Sequence, residues 1–166
     1  MPPDLSALWN TWVSTLPHLA QLHVPRWLDT VDRSHSQVHV FCHASERAYG
    51  AALYIRSCMV DNNVVHLACS KNRLAPVKVT LPWLELLAAL VGFRLLHYFC
   101  EARCIDITEA TLWTDSTVAL GWIPQDLNRW KTFVCNQLTK IQSCTTPSQW
   151  RHCPGKDNPA DLLSKE

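Results

Sequence analysis

The chain has 166 residues, 48% of them hydrophobic and 17% charged, with a net charge of +1. That length suits one domain of about 100–200 residues. The apolar share excludes a disordered tail, and the near-neutral balance excludes a polycation that holds nucleic acid by total charge alone.

From the amino end, Trp9, Trp12, Leu16, Leu19 and Leu22 recur at helical spacing until Pro17 interrupts the pattern and Pro25 ends it. This predicts a helical lead-in, within residues 1–36, that packs on the main body. Asp29–Ser36 reads as a polar linker, and residues 37–166 as the domain proper. The opening residues have neither the basic flank nor the long apolar run of a secretory signal. The apolar stretch Leu84–Leu96 is interrupted by Glu85, Gly92 and Arg94, too short and too charged for a membrane span. The expectation is a soluble protein that is not secreted.

The domain begins with three strands, Gln37–Cys42, Ala48–Arg56 and Val64–Ser70, the last two joined by a turn at Asp61-Asn62-Asn63. Three strands in succession predict an antiparallel meander. A long helix follows from Pro82 to Arg103, apolar on nearly all sides and so buried on most of them. Then come a strand at Ala110–Thr114, a short helix at Ser116–Trp122 stopped by Pro124, and a helix at Arg129–Ser143 with Phe133, Val134, Leu138 and Ile141 inside. A strand at Gln149–Cys153 and a final helix from Asn158 to Ser164 complete the order. It predicts an α/β fold with one mixed five-stranded sheet, three antiparallel strands and then alternating helix and strand, flanked by helices.

Eight cysteines, at 42, 58, 69, 100, 104, 135, 144 and 153, include no CxxC pair. Without a secretory signal they read as free thiols, not as disulfides or a zinc site.

Four residues draw attention as chemistry. Glu85 is the one charge between Thr80 and Phe93 on a helix expected to be buried, where a carboxylate needs a partner; a position at the solvent end of the first turn explains it equally well. Asp115 ends a strand just before a helix, the usual place for a ligand site in an open α/β sheet and also for a helix cap. Asp161 falls in Asn158-Pro159-Ala160-Asp161, which helix capping explains in full. His152 precedes a Pro-Gly-Lys-Asp loop and, by itself, is more often structural than catalytic.

Taken together, Phe41-Cys42-His43-Ala44-Ser45 with Ala48-Tyr49-Gly50, Leu84-Glu85-Leu86, Trp113-Thr114-Asp115-Ser116, His152 and Asn158-Pro159-Ala160-Asp161-Leu162 resemble the ribonuclease H domain of retroelements. The stretches Ser70–Pro76, Arg129–Val134 and the ending PGKDNPADLLS are similar to BEL/Pao-type retrotransposons. The segment Val24-Pro25-Arg26-Trp27 resembles the connection between reverse transcriptase and ribonuclease H in their polyproteins.

The resemblance implies metal-dependent cleavage of RNA in RNA–DNA hybrids by a domain adjoining reverse transcriptase in the same polyprotein. It places the protein in the cytoplasm, inside virus-like particles, away from membranes. The abrupt ending just inside a helix fits a piece cut from such a polyprotein. The family's carboxylates hold two divalent cations, Mg²⁺ or Mn²⁺, and match Glu85, Asp115 and Asp161 here, while His152 matches its mobile-loop histidine. Two metals about 3.5–4 Å apart activate the attacking water and stabilise the leaving alkoxide, and Mg²⁺ wants oxygen ligands.

The first family position, an aspartate that bridges both metals, is His43 in this chain. One imidazole nitrogen cannot bridge, and the lost charge removes roughly 4 kcal/mol of attraction per ion at an effective dielectric near 20, about a thousandfold in affinity. The expectation is a nuclease impaired by His43. The alternatives are weak cleavage with a transition metal held through His43, and an inactive nucleic-acid-binding or structural module beside reverse transcriptase. An integrase core, another nuclease of this fold, matches Glu85 and the His152–Asp161 ending less well. Ser45, Ser116, Arg129, Lys131 and Asn158 are the candidate nucleic-acid contacts, with Trp122, Trp130 and Trp150 interleaved among basic residues.

Overall fold

The computed structural model describes residues 2–22, 36–58, 63–130 and 132–164. Lys131, the Val24–Trp27 segment, most of the expected linker and the turn residues Asp61 and Asn62 lie outside them.

A five-stranded sheet organises the chain. The strands β1 (Ser36–Ala44), β2 (Ala48–Cys58), β3 (Asn63–Leu74), β4 (Thr111–Thr114) and β5 (Trp150–His152) lie in the order β3-β2-β1-β4-β5. The first three form the antiparallel meander, and β4 and β5 join β1 as parallel strands. The mixed five-stranded sheet with its antiparallel meander thus agrees with the sequence pattern. β3 runs four residues further than expected, with a register shift where Leu53 and Tyr54 face Cys69 and Leu67.

On β1 the side chains alternate between the two faces of the sheet. Val38, Val40, Cys42 and Ala44 are buried, while His39, Phe41 and His43 between them are only partly covered. The buried set packs under α2 (Leu81–Arg103), whose Leu84, Leu86, Ala88, Ala89, Leu90, Val91, Phe93 and Leu96 are nearly inaccessible. By length and composition α2 is apolar enough to cross a membrane, more so than the Leu84–Leu96 stretch suggests, yet most of it is buried against this sheet. It approaches the strands closely at Gly92, where any Cβ would collide with Cys42 Sγ and press on Val40. Only glycine lets the helix lie this near the strands.

The smaller helices differ in detail from the sequence expectation. Ser116 is the cap of α3 (Thr117–Trp122), its hydroxyl accepting from Ala119 N at 3.0 Å. α4 spans Thr132–Gln142, because Leu127–Arg129 closes as a tight 3₁₀ turn instead. Val134, Leu138 and Ile141 are inside as expected, but Phe133 is 39% exposed and stacks on Trp83 with ring centroids 5.0 Å apart. The expected last helix is a 3₁₀ turn, Pro159–Leu163. The carbonyls of Leu163 and Ser164 accept from Asn72 Nδ2 and Ser45 Oγ, which holds the chain against β1 and β3 in place of a further α-helical turn.

The lead-in departs most. α1 (Pro3–Leu19) continues through Pro17, and its Leu5, Leu8, Trp9, Trp12 and Leu19 are all more than half exposed, so it does not pack on the sheet domain as expected. Cys42, Cys69, Cys100, Cys104, Cys135, Cys144 and Cys153 form no disulfide, and Cys42, Cys100 and Cys153 are buried. Burial, with Asp106 nearby, pushes the Cys100 thiol up to about 11.

Candidate active site

The register of the two central parallel strands builds the site. Cys42 pairs with Thr114, so the next residues, His43 and Asp115, emerge side by side at the carboxyl ends of β1 and β4, where open α/β sheets place ligands. Because Ser116 is the helix cap, Asp115 is left to face the site, contrary to the capping alternative.

His43 is the centre. Its Nε2 lies 3.2 Å from Asp115 Oδ2 and 3.6 Å from Asp161 Oδ1. Its Nδ1 lies 2.6 Å from Ser164 Oγ. Its side chain is only 14% exposed, and those of Asp115 and Asp161 are 22% and 19% exposed. The hydrogen bond to Asp115 raises the His43 pKa above its ordinary value, and the charges of Asp115, Asp161 and Glu85 add to this against the opposing effect of burial.

Glu85 stands one turn further into α2 than the expected first-turn position, is half-buried, and accepts a short hydrogen bond from Ser116 Oγ. Burial raises its pKa, and Asp115 adds to the rise, while the Ser116 hydrogen bond and His43 work against it. The structure therefore gathers His43, Glu85, Asp115 and Asp161, drawn from four separate elements, at one end of the sheet. Gly155 lies over this end, where a Cβ would stand 3.2 Å from Asp115 Oδ2.

Other candidates are placed differently. His152 ends β5 opposite Thr114 and is exposed; among the described residues no hydrogen bond or ion pair joins it to the cluster. Ser45 Oγ donates to Ser164 O at 3.0 Å and accepts from the backbone of the β1–β2 turn. Asn158, almost wholly buried, accepts from Ala160 N and donates to Cys42 O at 2.9 Å. Ser45, Ser116 and Asn158 thus each hydrogen-bond within the fold. Arg129 is exposed, bonds Gln125, and lines a surface cleft with Val118, Gly121, Trp122 and Trp130. Sequence reasoning missed Ser164. Its signal was the spacing Asp161-x-x-Ser164, which sets both residues one 3₁₀ turn apart.

The family model for the Pao retrotransposon-like RNaseH-like domain matches residues 1–116, more than half of the chain. The chain belongs to that family. The match includes His43, Glu85 and Asp115; Asp161 and His152 lie beyond it. No curated protein matches. Among solved structures, LC11-RNase H1 in complex with an RNA/DNA hybrid is 12% identical, with a TM-score of 0.45 over 77% of this chain and 92% of that one. The ribonuclease H1 of Halobacterium salinarum is also 12% identical, with a TM-score of 0.38 over 77% and 97%. The N-terminal ribonuclease H domain of a Mycobacterium tuberculosis protein is 14% identical, with a TM-score of 0.39 over 71% and 83%.

Ribonuclease H-like domains generally use divalent metals, so the donor set of this Pao-type domain can be tested for fit. Asp115 and Asp161 converge on a single point, and that point is occupied by His43 Nε2. One oxygen of Glu85, Oε2, accepts from Ser116 Oγ. Among the described residues no group of three His, Cys, Asp or Glu side chains is arranged to hold a metal. The residues do not fit the two-metal site that the family pattern implies.

Proposed function

We propose that this Pao-type domain is the ribonuclease H-like part of a retrotransposon polyprotein, engages RNA–DNA hybrid beside reverse transcriptase in the cytoplasm, and is impaired in cutting the RNA strand. One observation carries the reading: His43 Nε2 stands between the two aspartates that hydrolysis would need for cations. Phosphodiester cleavage requires an activated water and a stabilised leaving oxygen, and with this arrangement the carboxylates are engaged by an imidazole that supplies neither.

Hybrid binding is a separable property. The cleft with Arg129, Trp122 and Trp130 offers a cation for phosphate and indole rings for stacking. The two indoles are 5.2 Å apart and tilted by 52°. This favours the second reading, a binding or bracing module that has lost hydrolysis, as the limiting case of the first.

The test is a labelled RNA–DNA hybrid incubated with the native chain, His43→Asp, and His43→Asp combined with Asp115→Asn, in Mg²⁺ and in Mn²⁺. The expected result is an inert native chain, RNA-strand cleavage by His43→Asp, and its loss in the double variant. A native chain that cuts as fast as His43→Asp would overturn the impairment. Binding of hybrid with no cleavage by any variant would leave the bracing module.

A further inference from the structure

We propose that the groove between α2 and the outer edge of β3 is a docking site for an extended acidic peptide segment of a partner protein, which adds to the sheet as a further strand. The inference stands on the fold and does not depend on the nuclease reading.

Three observations meet at this groove. β3, 12 residues long, is an edge strand, with β2 as its one neighbour among the described strands. Every second residue of such a strand turns its N–H and C=O away from the sheet, where another chain can pair with them. Beside that edge, Lys71 and Arg73 of β3 and Val91, Arg94, Leu95 and Tyr98 of α2 line a groove of about 380 Å³. Val91 is buried and gives it an apolar floor, while Tyr98, 72% exposed, forms a wall. Lys71, Arg73 and Arg94 are exposed. Among the described residues no acidic side chain lines the groove or pairs with any of the three.

The irregularity in β3 puts the cations there. His66 faces Ile55 and Cys69 faces Leu53, so β3 uses three residues where β2 uses two. One extra residue turns every later side chain to the opposite face. Lys71 and Arg73 thereby pair with Ala51 and Tyr49, on the buried face beneath α2. Without the extra residue, Ser70 and Asn72 would stand in their place. Asn72 instead turns to the other face, where its Nδ2 donates to Leu163 O of the closing turn, Pro159–Leu163.

Charge and hydrogen bonding together select the occupant. An added peptide strand supplies both the donors and the acceptors that an open β edge needs, whereas a phosphodiester backbone supplies acceptors only. Carboxylates on one face of that strand would stand opposite Lys71 and Arg73, and an apolar side chain would lie against Val91, Leu95 and Tyr98. A second copy of β3 fits poorly, because it brings the same cations to the same edge.

The experiment is fluorescence anisotropy of the full chain with a labelled heptapeptide in which glutamate and leucine alternate with threonine. Its companions are the same peptide with lysine for glutamate, one with proline for threonine, and a thymidine oligonucleotide of equal charge. Hydrogen exchange of the β3 amides is followed in parallel. The acidic peptide is expected to bind and to protect outward amides within residues 69–74. Proline removes the donors of the added strand, so that peptide should bind on the order of tenfold more weakly or worse. Lys71→Glu combined with Arg73→Glu should weaken the acidic peptide by at least on the order of tenfold and bind the lysine peptide in its place, a gain that an unfolded variant would not show. Absence of binding, binding that survives the charge reversal or the proline peptide, or binding without amide protection would each overturn the proposal. An oligonucleotide that binds more tightly than the acidic peptide and is lost on the same charge reversal would overturn it in favour of a nucleic-acid surface.

Discussion

Cys42 and His43 are neighbours on β1, yet they serve opposite faces of the sheet. Cys42 points into the apolar seam beneath α2, where its sulfur lies against Gly92 and burial pushes its thiol far above the ordinary range. His43 points into a polar seam closed by Asp115, Asp161 and Ser164. The apolar seam is set by volume, and a single methyl group upsets it. The polar seam is set by charge balance, and its members are interchangeable only where that balance survives. One β-strand therefore carries two kinds of constraint, one residue apart.

The largest stability effect is expected where the seams meet. Asn158 donates to the carbonyl of Cys42 and accepts from Ala160 N, so it fastens the closing turn to the strand that both seams share. Asn158→Ala removes a cap worth about 1 kcal/mol and strands a buried carbonyl at about 1–3 kcal/mol. A loss of roughly 2–4 kcal/mol in urea unfolding is the expected outcome. A loss near zero would show that the turn is held by the His43 cluster alone.

The apolar seam comes next. Gly92→Ala should destabilise by about 1–3 kcal/mol through overpacking, since the new methyl collides with Cys42 Sγ. Adding Cys42→Ala makes room for it, so the double variant should lose less than the sum of the two singles. Strict additivity in the double-mutant cycle would mean that the contact at Gly92 does not limit the approach of α2.

Much of this was legible in the sequence, for reasons that particular residues make plain. Val38 and Val40 alternate with His39 because one face of β1 is buried, and that pattern located the strand. Asp115 stood out because it follows a β-branched and aromatic strand and precedes a helix. Its freedom from capping was not legible, since Asp115 and Ser116 are both good caps and only the fold chose Ser116. The fate of α1 was not legible either: a helical stripe of Trp and Leu specifies amphipathicity, not the surface that would cover it. Likewise Asn158-Pro159 announces a helix start correctly, but whether the turn continues as α or 3₁₀ was decided by Asn72 and Ser45, distant in sequence, taking its last carbonyls. The position of His43 was visible as a departure from the family pattern, whereas its contacts with Asp161 and Ser164 depend on a turn more than a hundred residues away.

The smallest expected effect is the pH dependence of the polar seam, and its sign follows from the direction of two shifts. His43 has its pKa raised above 6.5 in the folded chain by the hydrogen bond to Asp115 and the surrounding acids. The folded state thus binds the proton more tightly, and the stability it adds is fully present below the unfolded value and lost as pH rises through the folded one. Glu85 is raised above 4.5, chiefly by burial, so ionising it works against folding and stability also declines with rising pH, in a more acidic window. The two contributions can be told apart. In thermal unfolding over a pH series, the decline above about 6.5 should be present in the native chain and absent from His43→Asn, while the more acidic one persists in both. Equal slopes for native and His43→Asn above neutrality would show that the ring gains nothing from its partners on folding, and that the polar seam is held by the backbone bonds of the closing turn and not by charge.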